Sequence, residues 1–145
     1  MKIYLAGPFF DDEQINRIKR VEEALSTNVT VTDFFSPRAE QIENLEVGTP
    51  EWAQAIFDND VDHLQDADVV VAVSDFVGDN VDSGTAFEVG YAVRAEIPVV
   101  LLHEKESPVN IMLSQSLTAY LTDAAQLAAY DFKTMPESHY NGPVI

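Results

Sequence analysis

The chain contains no cysteine. Disulfides, zinc–thiolate sites and thiol nucleophiles are therefore excluded, and the redox compartment is left open. Basic residues are scarce: 8 lysines and arginines stand against 25 aspartates and glutamates, a formal charge of -17 over 145 residues. Nucleic acid, anionic membranes and polyanionic substrates all need clustered cations, so no nucleic-acid or membrane partner is expected. No apolar run approaches the ~20 residues of a membrane span, and the opening apolar stretch meets acids too soon to be a secretory signal. The six glycines build no phosphate-cradling motif. His63, His103 and His139 lack metal-ligand spacing, so no metal is expected. Together these absences point to a soluble, cytoplasmic protein.

Hydrophobic residues make up 46% of the chain and aromatics 10%, enough for one folded domain over residues 1–145. Residues 3–6 read as a buried strand ended by Gly7-Pro8. Acids at 11–13 then open a helix whose apolar positions are Ile15, Ile18, Val21 and Leu25. Residues 29–35 read as a second strand, 37–50 as a long loop, and 52–64 as a helix entered through Thr49-Pro50. A third strand covers 67–73 and a polar loop 75–83, before the helix that carries Glu88. A fourth strand spans 97–103, a short helix 110–117, a weak fifth strand 119–121 and a last helix 124–130. Alternating strands and helices predict a doubly wound, mostly parallel five-stranded α/β sheet with helices on both faces, flavodoxin- or Rossmann-like. In such sheets ligands bind beyond the carboxyl ends of the strands. The loops to watch are therefore 7–10, 36–49, 74–84 and 103–110.

Glu88 is the only acid between Gly84 and Ala95, a stretch otherwise small, aliphatic or aromatic apart from Thr85 and Arg94. A carboxylate there is either partly desolvated, as nucleophiles and acid/base groups are, or lies on the one wet edge of a buried helix. Asp60 poses the same choice. It shares one helix face with Ile56 and Leu64, at i, i+4 and i+8, or sits at the margin of that stripe. Asp82 stands where an N-cap belongs, and a carboxylate there is also able to accept from a ligand hydroxyl. Three carboxylates near one cleft are the equipment of glycosyl chemistry, which needs a nucleophile or base and a separate proton donor.

With these residues in view, the chain resembles the nucleoside 2-deoxyribosyltransferases, specifically the type that accepts purines and pyrimidines. The resemblance is carried by Ile3-Tyr4-Leu5-Ala6-Gly7-Pro8-Phe9-Phe10, Phe35-Ser36-Pro37-Arg38, Asn59-Asp60, Asp82-Ser83-Gly84-Thr85-Ala86-Phe87-Glu88-Val89-Gly90-Tyr91-Ala92 and Val109-Asn110-Ile111-Met112. Their order and spacing along nearly the whole chain make it specific. It implies that Glu88 attacks C1′ of a 2′-deoxynucleoside and that Tyr4 holds this nucleophile. It implies that Asp60 exchanges a proton with the base and that Asp82 binds a sugar hydroxyl. Asn110 and Met112 would reach a neighbouring subunit's site in a dimer-based homo-oligomer, a tetramer or hexamer included. Phe9 and Gln41 would contact the base. The partners implied are 2′-deoxynucleosides and free purine or pyrimidine bases, with no cofactor. The chain departs from the family pattern at Phe9, where the family carries tryptophan, and at Gly142-Pro143-Val144-Ile145, where it often carries a terminal aromatic residue. The alternative readings are an N-glycosidase hydrolysing a deoxynucleoside or its 5′-monophosphate, and a non-enzymatic nucleoside-sensing domain.

Overall fold

A computed structural model describes residues 1–145. Five strands form one sheet: β1 (Lys2–Ala6), β2 (Asp33–Phe35), β3 (Val69–Val73), β4 (Val99–Leu102) and β5 (Ala119–Leu121). Their order is β2-β1-β3-β4-β5, and every pair is parallel. The expected mostly parallel sheet is thus wholly parallel. Helices α1 (Asp12–Thr27), α2 (Pro50–Gln65), α3 (Ser83–Arg94) and the single turn α4 (Ile111–Ser114) connect the strands. No helix is long and apolar enough to cross a membrane.

The alternation of side chains along the strands divides the core. Ile3 and Leu5 of β1 with Val69, Val71 and Val73 of β3 face Ile18, Val21 and Leu25 of α1. Tyr4 and Ala6, with Val70 and Ala72, face the other way, toward Leu64 of α2, Val89 and Ala92 of α3 and Leu113 of α4. This parity aims Tyr4 at the helix that carries Glu88. All five residues of β3 are buried, as expected of a central strand covered on both faces. Gly7 closes β1 where a Cβ would lie 2.7 Å from Ile18 Cδ1 and 3.1 Å from Val73 Cβ, so α1 packs directly over the strand end.

Several expected boundaries contract. Pairing in β2 begins only at Asp33, not at 29. Asn28 caps α1, and its side-chain amide donates to Leu127 O and Tyr130 O, both at 2.7 Å. Its Oδ1 accepts from the Thr30 amide at 2.8 Å, holding the chain in a turn and leaving Val29 94% exposed. The last expected helix, 124–130, is a 3₁₀ helix over Ala124–Ala128, opened by a capping box of Asp123 and Gln126. The expected helix 110–117 is only the one turn of α4. β4 starts at Val99 because residues 95–97 close α3: Glu96 adopts φ 60° and the Ile97 amide returns to Ala92 O at 2.9 Å.

Candidate active site

Glu88 lies one turn and a half into α3, with Thr85, Val89 and Ala92 of that helix buried beside it. Tyr4, wholly buried in β1, donates its phenol O–H to Glu88 Oε1 at 2.5 Å. The bond joins residues 84 apart in sequence, and strand parity is what delivers it. Across a gap between α2 and α3 stands Asp60. A cavity of about 310 Å³ is lined by Tyr4 at its base, by Ile56, Phe57, Asp60, Val61 and Leu64 of α2, and by Gly84, Phe87 and Glu88 of α3. Both suspect acids therefore face the same mostly apolar cleft. α2 runs from the loop after β2, starting at its Thr49 cap and Pro50; of the two placements its spacing left open for Asp60, the structure has Ile56, Asp60 and Leu64 together facing the cleft.

The electrostatics follow from that environment. Burial pushes the Glu88 carboxyl up to about 8; the Tyr4 hydrogen bond opposes the shift, and the charges of Asp60 and Asp82 add to it. Asp60 is also raised by burial, against the lowering effect of its Asn59 hydrogen bond and of nearby His63. Tyr4 is raised by burial and by the charge of Glu88, so it remains a donor. Burial of both acids, with the charge of Asp60 acting on Glu88, disfavours ionising both at once. The pair can present one carboxylate to an electrophilic carbon and one acid to a departing nitrogen.

Asp82 is the N-cap of α3: Oδ2 accepts from the Thr85 amide at 3.0 Å and from Thr85 Oγ1 at 3.3 Å. Its other oxygen has no hydrogen bond to the protein, so capping and ligand contact are compatible. Asn110 and Met112 do not line the cleft. Asn110 caps α4, accepting from the Met112 amide at 2.9 Å. Both residues line a second groove of about 420 Å³ with Val81, Ala86, Val89 and Val93, on the opposite flank of α3. Phe9 packs against the α1 side of the core and stacks on Phe10. Gln41 is exposed in the loop after β2, its amide donating to Pro37 O at 2.7 Å. Neither Phe9 nor Gln41 lines the Glu88 cleft.

Sequence reasoning missed the aromatic wall of the cleft. Phe57 and Phe87 are each 51% exposed, with ring centroids 6.1 Å apart. Their signal was present: one precedes Asp60 by three residues and the other adjoins Glu88.

A doubly wound α/β enzyme with a half-buried, tyrosine-held glutamate and an aspartate across a mostly apolar cleft is the class these elements define. The family model described as nucleoside 2-deoxyribosyltransferase matches residues 3–135. The chain belongs to the nucleoside 2-deoxyribosyltransferase family. A nucleoside deoxyribosyltransferase of Limosilactobacillus fermentum is 31% identical over 156 residues, covering 99% of this chain and 88% of the relative. One from Lactobacillus leichmannii is 28% identical, covering 98% and 96%. The solved structure of a 2-deoxyribosyltransferase from Bacillus psychrosaccharolyticus is 37% identical, with a TM-score of 0.87 over 97% of this chain and 99% of that one.

Proposed function

We propose that the protein transfers the 2-deoxyribosyl group between nucleobases by double displacement, with retention at C1′. In the first half, a Glu88 oxygen attacks C1′, the bond to the base nitrogen breaks, and Asp60 protonates that nitrogen. In the second half, an incoming base attacks C1′ of the glycosyl ester, its proton passes to Asp60, and Glu88 leaves as carboxylate. A sugar without a 2′-hydroxyl suits this path, because no electron-withdrawing group opposes the positive charge that develops at C1′. A carboxylate below that carbon stabilises the charge and then captures it.

The observation that carries the reading is the Tyr4–Glu88 hydrogen bond at the base of a cleft that Asp60 also faces. The tyrosine orients one oxygen and opposes the desolvation that keeps Glu88 protonated. In this reading Asp82 uses its uncapped oxygen for a sugar hydroxyl, and Phe9 and Gln41 meet the base. Asn110 and Met112 serve a neighbouring subunit, so the active form is a homo-oligomer. The substrates are 2′-deoxynucleosides and free bases in the cytoplasm, handled by one domain without a cofactor.

Incubation with a deoxynucleoside and a different free base tests this. Formation of the exchanged nucleoside is expected, faster with deoxyribo- than ribonucleosides. Base release without any exchanged product would instead identify an N-glycosidase.

A further inference from the structure

The proposed chemistry fixes where a nucleobase must lie. Asp60 exchanges a proton with a base nitrogen only within hydrogen-bond reach of its carboxyl, roughly 2.6–3.2 Å. Glu88 reaches C1′ only when the sugar stands over its carboxyl, whose Oε1 already accepts from Tyr4. The glycosidic bond therefore spans the gap between α3 and α2, and the base lies against the side of the cleft that Asp60 occupies.

Three aromatic rings line that cleft. Tyr4 is wholly buried at its base, and its hydroxyl is committed to Glu88. Phe57 and Phe87 differ: about half of each side chain meets water, yet both line the same cleft as the two acids. Phe57 stands three residues before Asp60 on α2, so its ring shares a face with that carboxyl. Phe87 adjoins Glu88 on α3 and follows Gly84 by three residues, and that glycine adds no side chain to screen it. The two rings are inclined at 52° with centroids 6.1 Å apart, forming one bent apolar surface that bridges α2 and α3. Nucleobases stack on such rings whatever their hydrogen-bonding edge, because every base has a π face.

We infer that Phe57 and Phe87 are the aromatic wall on which the departing and the incoming base both lie, one surface setting base affinity in the two half-reactions. The inference rests on the double-displacement reading, with Asp60 addressing the base nitrogen. A stacked ring responds to contact area and not to a donor or acceptor pattern, so the wall takes purines and pyrimidines alike. It touches the base before and after the sugar moves. Ground state and transition state therefore gain equally from it, and its loss weakens binding more than turnover. Phe9 and Gln41, outside this cleft, are left the outer edge of the base.

Phe57→Leu and Phe87→Leu test this, since leucine keeps the helix and an apolar side chain while removing the flat face. Phe57→Tyr keeps the ring and is the conservative control. Equilibrium dialysis of free adenine reads the wall without turnover, and exchange kinetics read it in each half-reaction. Each leucine variant is expected to bind adenine about tenfold more weakly, with a similar loss in kcat/KM for donor nucleoside and for acceptor base. Its kcat should stay within about threefold of the parent, and Phe57→Tyr should match the parent throughout. If free adenine does not bind without the sugar, kcat/KM decides alone. Unchanged base affinity in both leucine variants overturns the wall, as does a fall in kcat with KM unaltered. Loss of an oligomer in sedimentation with base affinity unchanged also overturns it, making the pair a subunit contact. A parent protein that releases base but never exchanges it would remove the transferase reading. Adenine binding still weakened in the leucine variants would then leave the wall standing.

Discussion

Glu88 and Asp60 face one cleft, and in the proposed mechanism the protonation of the two carboxyls determines when the site works. With both protonated there is no nucleophile; with both ionised there is no acid for the departing base. The profile of kcat/KM against pH is therefore expected to be bell-shaped. Its alkaline limb belongs to loss of the pair's last proton, near the value of about 8 to which Glu88 is raised. Its acid limb lies above the ordinary aspartate value of 3.8, because burial raises Asp60. Asp60→Asn removes the group that must stay protonated and a like charge beside Glu88, so its slower rate should rise to a plateau with no alkaline fall. An alkaline limb retained in Asp60→Asn contradicts the assignment. The same raised carboxyl affects stability. Because the folded state holds the Glu88 proton more tightly than the unfolded state, stability falls as pH rises from the ordinary glutamate value of 4.5 through about 8. Glu88→Gln should lose that slope in thermal melts between those limits. At this scale the acids were legible, since a lone carboxylate in an apolar stripe is a local pattern. Phe57 and Phe87 meet only when α2 and α3 pack.

At the scale of elements, runs of β-branched residues located the buried strands because burial on both faces demands them. Where residues 29–32 combined a strand-like composition with Asn28 as a helix cap, the cap prevailed: its side chain satisfies two carbonyls near the 3₁₀ helix and holds the turn. That competition depends on a partner about a hundred residues away, so composition alone overextended β2. The end of α3 carries a related conflict. Glu96 sits at φ 60°, a conformation that glycine adopts without the steric cost a Cβ brings. Glu96→Gly should raise stability by about 0.5–1 kcal/mol in urea unfolding, the usual gain for relieving a left-handed residue at a helix end. A loss of stability would mean that Glu96 makes a contact beyond its backbone.

At the scale of the whole molecule, the charge of -17 and the apolar groove beside α3 pull in different directions. Self-repulsion opposes association, while Val93 at 48% exposed and Met112 at 72% line a surface that water solvates poorly. In the proposed oligomer the groove is covered and Asn110 enters a neighbouring site. Specific activity should then fall on dilution, recover with added salt as repulsion is screened, and track the oligomer fraction measured by sedimentation. Full activity in a sedimenting monomer would separate Asn110 from catalysis. The proposed transfer turns on the covalent step at Glu88. Rapid acid quench of the protein mixed with a deoxynucleoside and no acceptor base, followed by peptide mass spectrometry, reads that step. The expected result is a mass increase of one deoxyribosyl group on the peptide containing Glu88, chased off by a second base. Turnover with no adduct at Glu88, or with an inverted anomer as product, would contradict it.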